Sequence, residues 1–225
     1  VSDPSSVAEE VVRAARRMSQ IGLVVGTAGN VSGRAADDTI CLTPSSVPYP
    51  DITVDGLAVV DLDGEQVGGE GSPSTEKPMH LACYRAFPEV GGVVHCHPPH
   101  ASMFAVAGIA IPAVIEEVIV YLGGDVPIAA YRTTGTEELS EEIVRHVRDR
   151  SAVLMANHGM LCVGQSPADA LHAAEVAEHT ARIVWGARQL GGVVDLPDEI
   201  VSSFTDVYGL IRSGWPKAAE GRIGE

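Results

Sequence analysis

Residues 93–100 read Val-Val-His-Cys-His-Pro-Pro-His, and this stretch narrows the possible folds more than any other. Two valines leading into the histidines mark the end of a buried strand, and side chains along a strand alternate between its faces. His95 and His97 therefore share one face, and Cys96 takes the other. Two imidazoles on one face form part of a metal chelate, because a catalytic zinc takes three protein ligands and keeps one position open. The strand must then lie where another segment can deliver a third donor.

His158 is the best candidate for that donor. It lies in Ala152-Val153-Leu154-Met155-Ala156-Asn157-His158-Gly159-Met160-Leu161, an apolar strand ending in Asn-His-Gly with another apolar strand after it. A bulky polar side chain at the tip of a buried hairpin requires a partner. Taken alone, His158 reads as a hydrogen-bonded turn histidine; beside a His-x-His strand it reads as the third ligand. None of the remaining histidines is assigned as a ligand. His172 and His179, seven apart on a long helix, read as surface or subunit contacts, His100 reads as pocket lining, and Cys96 reads as a buried core thiol.

With 225 residues, 45% of them hydrophobic, the chain can bury one sizeable core. A single domain over 1–225 is expected, with its core from 5 to 212 and a tail from 213. The apolar run from Ala105 to Val114 is broken by Gly108 and Pro112 and is too short to span a bilayer. No leader is expected ahead of the first helix. Fifteen Lys and Arg against 30 Asp and Glu give a formal net charge of -15, which argues against nucleic-acid or anionic-membrane partners. An anionic substrate would need local donors working against that overall field. Cys41, Cys83, Cys96 and Cys162 form no Cys-x-x-Cys pair, a pattern that fits a reducing, cytoplasmic compartment.

The pattern predicts alternating helices and short strands. Helices are expected over Pro4–Gln20, Glu76–Ala86, Pro99–Ala107, Glu137–Arg150 capped by Thr136, Ala168–Leu190 opened by Ser166-Pro167, and Glu199–Arg212. Strands are expected at 30–32, 39–42, 57–61 leading into an Asp63-Gly64 turn, at the His-x-His segment, at 125–130, and in a hairpin over 152–164. Residues 115–122 fit helix or strand, and the chain beyond 213 is expected to fray.

A second chemical cluster is built of small hydroxyl residues and glycine: Gly26-Thr27-Ala28-Gly29-Asn30-Val31-Ser32, Thr43-Pro44-Ser45-Ser46, and Ser72-Pro73-Ser74-Thr75. Such loops can offer backbone N–H groups and hydroxyls to an anion without lysines, and the third opens a helix. Each alone is also ordinary turn chemistry. Glu76, next to the third loop, reads in isolation as a solvated helix cap.

Taken together and in order, several motifs carry a resemblance. They are Thr-Ala-Gly-Asn-Val-Ser (27–32), Leu-Thr-Pro-Ser (42–45), Pro-Ser-Thr-Glu (73–76) with Met79-His80, Val-Val-His-Cys-His (93–97), Thr-Gly-Thr-x-x-Leu (134–139), Asn-His-Gly (157–159) and Tyr208-Gly209-Leu210. The chain resembles the zinc-dependent class II aldolase/adducin-like family over about residues 5 to 212.

The resemblance implies a three-layer α/β/α fold with a central, mainly antiparallel sheet, assembled as a homotetramer with active sites at subunit interfaces. It implies zinc on His95, His97 and His158, with manganese or cobalt as alternatives for a three-histidine site. Asn30, Ser45, Ser46, Ser74 and Thr75 fall on phosphate-binding positions, and Glu76 on the acid/base glutamate. Tyr208 falls on a tyrosine that reaches a neighbouring subunit's site. The implied reaction is cleavage of a ketose 1-phosphate, such as L-fuculose 1-phosphate or a 5-deoxypentulose 1-phosphate, to dihydroxyacetone phosphate and an aldehyde through a zinc-stabilised enediolate.

Two positions depart from the family pattern. Glu117 stands where the fuculose-phosphate enzymes place a second tyrosine, and Tyr121, four residues on, would share its face on a helix. Lys77-Pro78 replaces bulkier residues after Glu76; Lys77 then either strengthens phosphate binding or faces solvent. Glu117 would act at the aldehyde end of the substrate, with a polar subunit surface as the alternative. The apolar Val118-Ile119-Val120 flank suits a small or deoxygenated aldehyde. Competing readings on the same site are pentulose-5-phosphate 4-epimerisation, decarboxylation of a phosphorylated keto sugar acid and dehydration of a methylthio-pentulose phosphate. A metal-free adducin-like scaffold is the non-enzymatic alternative. The epimerases carry Asp where Glu76 stands, and the intact His95, His97, His158 and Glu76 set argues against the scaffold.

Overall fold

The computed structural model describes residues 4–217. The chain runs α1 (Pro4–Gln20), β1 (Asn30–Arg34), β2 (Ile40–Leu42), β3 (Ala58–Val60), β4 (Gln66–Gly68), α2 (Lys77–Ala86), β5 (Gly92–Cys96), α3 (Pro99–Ala107), α4 (Glu116–Leu122) and β6 (Ile128–Ala129). It continues through α5 (Glu137–His146), β7 (Ala152–Met155), β8 (Gly159–Gly164), α6 (Pro167–Gln189) and α7 (Asp198–Ser213). The strands form one sheet in the order β4-β3-β2-β1-β5-β8-β7-β6. Every pairing is antiparallel except β6 with β7.

The strand sequences explain the layering. Along β5, β7 and β8 successive residues feed two separate cores. Val94, Cys96, Ala152, Leu154, Met160 and Cys162 pack with α1, α3, α4 and α6, while Val93, Val153, Met155, Leu161 and Val163 pack with α2 and α5. A strand buried on both faces loses the polar alternation of a half-exposed one, which is why these segments read as apolar runs. The result is an α/β/α arrangement around a mostly antiparallel sheet. Among the described residues, no helix is long and apolar enough to cross a membrane.

Several boundaries differ from the sequence reading. Residues 116–122 are helical. β4 was not foreseen, because its exposed Gln-Val-Gly at the sheet edge carries no core-directed pattern. α5 stops at His146, where buried Val147 closes it, and Arg150 turns back to pair with Asp125 at 3.1 Å. β6 shrinks to two residues. Trp215 packs beneath α2 and α5 instead of fraying; residues 218–225 of the expected tail lie outside the described residues.

Candidate metal centre

In β1 and β5, Asn30 pairs with His95 and Ser32 with Val93. Opposed residues of an antiparallel pair point to one face, so Asn30, Ser32 and His95 all project toward α2. Gly29 makes this closeness possible. Its φ is +80°, and a Cβ there would stand 2.7 Å from the carbonyl oxygen of His95.

His158 arrives from the β7–β8 hairpin. Met155 faces Gly159 across a three-residue loop, and Asn157 takes the left-handed conformation (φ 57°) that asparagine tolerates. The His158 N–H donates to the Met155 carbonyl at 3.0 Å, which fixes the turn. The ligand atoms of His95, His97 and His158 all lie within 4.8 Å of one another, and this is the one such His/Cys/Asp/Glu group among the described residues.

The protonation chemistry of this cluster fits a metal. His95 Nδ1 lies 3.0 Å from the Met160 carbonyl, an acceptor, so the proton resides on Nδ1 and the Nε2 lone pair faces the cluster. Nε2 of His97 stands 2.9 Å from that atom. Nδ1 of His158 is buried with no hydrogen-bonding partner. Burial lowers the pKa of His95 and His97, and their charged neighbours in the cluster do not reverse the shift. The neutral imidazole is the form in which histidine binds divalent metals, and His95 turns its Nε2 lone pair toward the cluster.

Glu76 completes the group. It ends the loop before α2 and makes no side-chain cap of that helix, so the solvated-cap reading does not hold. Its carboxylate lies 3.4 Å from His95 Nε2 and 3.2 Å from His158 Nε2. Asn30 Nδ2 donates to it at 2.8 Å. Burial opposes its ionisation, but the hydrogen bonds from His158 and Asn30 outweigh that and hold the carboxyl below its usual range.

The hydroxyl loops also come together. Ser45 N–H donates to the Ser72 carbonyl at 2.9 Å, and Pro44 and Pro73 form an isolated bridge. The 43–46 and 72–75 loops are thus sewn side by side, with Ser45, Ser46 and Thr75 exposed. Ser74 is buried and accepts hydrogen bonds from Asn30 Nδ2 and from the Glu76 N–H. Lys77 reaches the Gly64 carbonyl instead of this cradle.

A family model described as Class II Aldolase and Adducin N-terminal domain matches residues 9–185. The chain belongs to this family. Its relatives include 5-deoxy-D-ribulose 1-phosphate aldolase of Bacillus thuringiensis, 34% identical over 85% of this chain and 90% of that protein. L-ribulose-5-phosphate 4-epimerase UlaF of Salmonella paratyphi B is 34% identical over 85% and 89%. A solved L-fuculose 1-phosphate aldolase superposes with a TM-score of 0.85 at 31% identity, covering 91% of this chain and 96% of that one. This class II aldolase family member therefore has a lyase-type scaffold and a three-histidine cluster suited to a metal.

Two expected site residues stand apart from the cluster within one chain. Tyr208, on α7, is buried with its hydroxyl 2.9 Å from Ser151 Oγ and 3.0 Å from Arg212 Nη1. Ser151 precedes β7, at the opposite end from the His158 turn. Glu117 lies exposed in the first turn of α4, on the same exposed helix face as Tyr121. One participant was missed altogether: His80, buried on α2 and bonded to Asn30. Its signal, a histidine four residues after Glu76, lay within the Pro-Ser-Thr-Glu…Met-His motif but carried no assignment.

Proposed function

We propose that this chain is a zinc-dependent aldolase that cleaves a ketose 1-phosphate, with a 5-deoxypentulose 1-phosphate or L-fuculose 1-phosphate as substrate, into dihydroxyacetone phosphate and an aldehyde. The observation that carries the reading is the Glu76 carboxylate set against two of the three converging imidazoles. The 5-deoxyribulose 1-phosphate aldolase among the relatives supports the short, deoxygenated aldehyde end.

His95, His97 and His158 would hold the metal, zinc or alternatively manganese or cobalt, and when bound it supplies Lewis-acid stabilisation of the negative charge that develops on the substrate. Ser45, Ser46, Ser74 and Thr75 present hydroxyls to the phosphate, and Asn30 ties their loops to Glu76. Ser74 Oγ already accepts two N–H groups, which leaves its own O–H to donate. When the C3–C4 bond breaks, its electron pair stays on C3, and the Glu76 carboxylate takes a proton from a solvent water and passes it to that carbon; in the synthetic direction it removes a proton from the carbon and returns it to water. The C4 hydroxyl loses its proton as the aldehyde forms. Glu117, with Tyr121 beside it on α4, receives that proton from a neighbouring copy's substrate in a homotetramer. Tyr208 joins this chemistry by leaving Ser151 and Arg212. The enzyme would act in the cytoplasm, a reducing compartment that its free cysteines suit.

The test is release of dihydroxyacetone phosphate from a panel of ketose 1-phosphates by the zinc-reconstituted protein, with His95→Ala as the blank. Metal-dependent release establishes the aldolase and ranks the aldehyde ends. Absence of release from every substrate, with one metal bound per chain, overturns it in favour of the epimerase reading that the UlaF relative supports, or of the decarboxylase.

A further inference from the structure

Behind Glu76 lies a buried polar chain that the proposed proton chemistry does not use. Asn30 Oδ1 meets His80 Nε2, His80 Nδ1 lies 2.7 Å from Ser32 Oγ, and Ser32 Oγ lies 2.8 Å from the Tyr84 hydroxyl. Asn30 is 3% exposed, His80 and Tyr84 1%, and Ser32 not at all. Residues 30 and 32 are two apart on a strand, and 80 and 84 are four apart on a helix. Both spacings put side chains on one face, so β1 and α2 present facing pairs.

The direction of every hydrogen bond in this chain is determined. An ionised Glu76 only accepts, so Asn30 must turn its Nδ2 toward Glu76 and Ser74. That leaves Oδ1 toward His80, whose Nε2 must then carry a proton. Burial pushes His80 down to about 4, so the ring is neutral and Nδ1 is an acceptor. Ser32 donates to it and in turn accepts from the Tyr84 hydroxyl. All donors point toward Glu76. In the other tautomer, His80 would demand an N–H from Asn30, and the flipped amide would set Oδ1 against the Glu76 carboxylate.

From this geometry we infer that His80, through its Nε2–H tautomer, is a positioning residue that locks the Asn30 amide and thereby orients the Glu76 carboxylate between His95 and His158. Ser32 and Tyr84 select the tautomer. The kinetic part of the inference rests on the reading of Glu76 as the proton carrier; the orientation of Asn30 does not.

The test uses zinc-reconstituted wild type, His80→Phe, His80→Gln and Ser32→Ala. His80→Phe keeps the ring's bulk and removes both nitrogens, whereas the glutamine amide can restore a donor toward Asn30. The expected result for His80→Phe is one zinc per chain, KM within about twofold and kcat lower by about 100-fold, the scale of a misplaced reacting group, with most of the loss recovered in His80→Gln. Independently of turnover, nitrogen-15 spectra of labelled histidine and asparagine should show His80 protonated at Nε2 and slowly exchanging Asn30 side-chain protons in wild type. Those protons should exchange fast in His80→Phe. Should that variant fail to fold, Ser32→Ala carries the test, with a mixed His80 tautomer and reduced kcat at full zinc content as the expected outcome. An unchanged kcat in the folded variants, or His80 protonated at Nδ1 in wild type, overturns the inference. If wild type cleaves no ketose phosphate, the aldolase reading fails while the spectra still decide the role of His80.

Discussion

Both carboxylate oxygens of Glu76 are engaged: Oε2 with Asn30 and His95, Oε1 with His158. Replacing one oxygen by NH2 in Glu76→Gln keeps the shape but opposes a donor to the Asn30 N–H or to an imidazole N–H. We expect kcat to fall by about 10²- to 10⁴-fold, the range for a lost general acid or base, with zinc content unchanged by elemental analysis. Wild-type turnover in this variant would remove Glu76 from proton handling. His80 has a separate effect on stability. Its pKa is lowered from 6.5 to about 4 by burial, so the unfolded chain binds a proton that the folded chain refuses between those values. The contribution is fully present above pH 6.5 and is lost as pH falls toward 4, by about 3 kcal/mol at one pH unit per 1.36 kcal/mol. Denaturant titrations of the metal-free protein should show that loss, and the loss should shrink in His80→Gln; equal acid sensitivity would mean His80 is not buried in neutral form. The convergence of His95, His97 and His158 was legible because period two and a hairpin tip are local signals. His80 was not, because its meaning depends on Asn30 and Ser32, about 50 residues away, being laid opposite it.

The candidate metal centre depends on where three elements end. β5 delivers His95 and leads into His97, the β7–β8 turn delivers His158, and the loop before α2 delivers Glu76. Gly159, the first residue of β8, is the tightest joint among them. A Cβ there would stand 2.5 Å from His97 Cδ2 and 2.7 Å from the Cys96 carbonyl oxygen, and the backbone oxygen has no rotamer by which to yield. Gly159→Ala should therefore displace His97, lowering zinc affinity by about 10-fold or more and costing roughly 1–3 kcal/mol in stability as overpacking. Competition with a chelator measures the first and denaturant unfolding the second; an unchanged affinity would show that His97 does not hold the metal. At this scale the sequence revealed most elements but not their ends. Strands buried on both faces and amphipathic helices announce themselves, whereas β4 is an exposed three-residue edge and α5 ends at a Val147 cap, short of Arg150, which pairs with a distant aspartate. The sewing of two hydroxyl loops through a Pro44–Pro73 bridge is likewise tertiary, although each loop was recognisable as turn chemistry.

Within a single chain, no exposed acid or phenol among the described residues is in contact with the histidine cluster. Glu117 and Tyr121, proposed for the aldehyde end, stand on α4, away from the cluster's hydrogen-bond network. Large apolar side chains are also left in water: Leu190 is 92% exposed, Leu210 75% and Val106 66%, with Trp185 and Tyr121 near half. In the homotetramer proposed above, a symmetric contact between copies would bring α4 of one copy to the cluster of the next. The consequence is testable by complementation. Glu76→Gln lacks the proton carrier but keeps Glu117, and Glu117→Gln lacks the second group but keeps the cluster. Each alone should be nearly inactive. When the two are unfolded together and refolded, some interfaces will pair an intact cluster with an intact α4, and dihydroxyacetone phosphate release should reappear, while mixing without refolding should restore little if subunits exchange slowly. Sedimentation of the wild type should give a mass several times that of one chain. If the refolded mixture stays as inactive as its components while remaining oligomeric, Glu117 acts within its own subunit or not at all, and the shared-site arrangement falls even though the metal cluster stands.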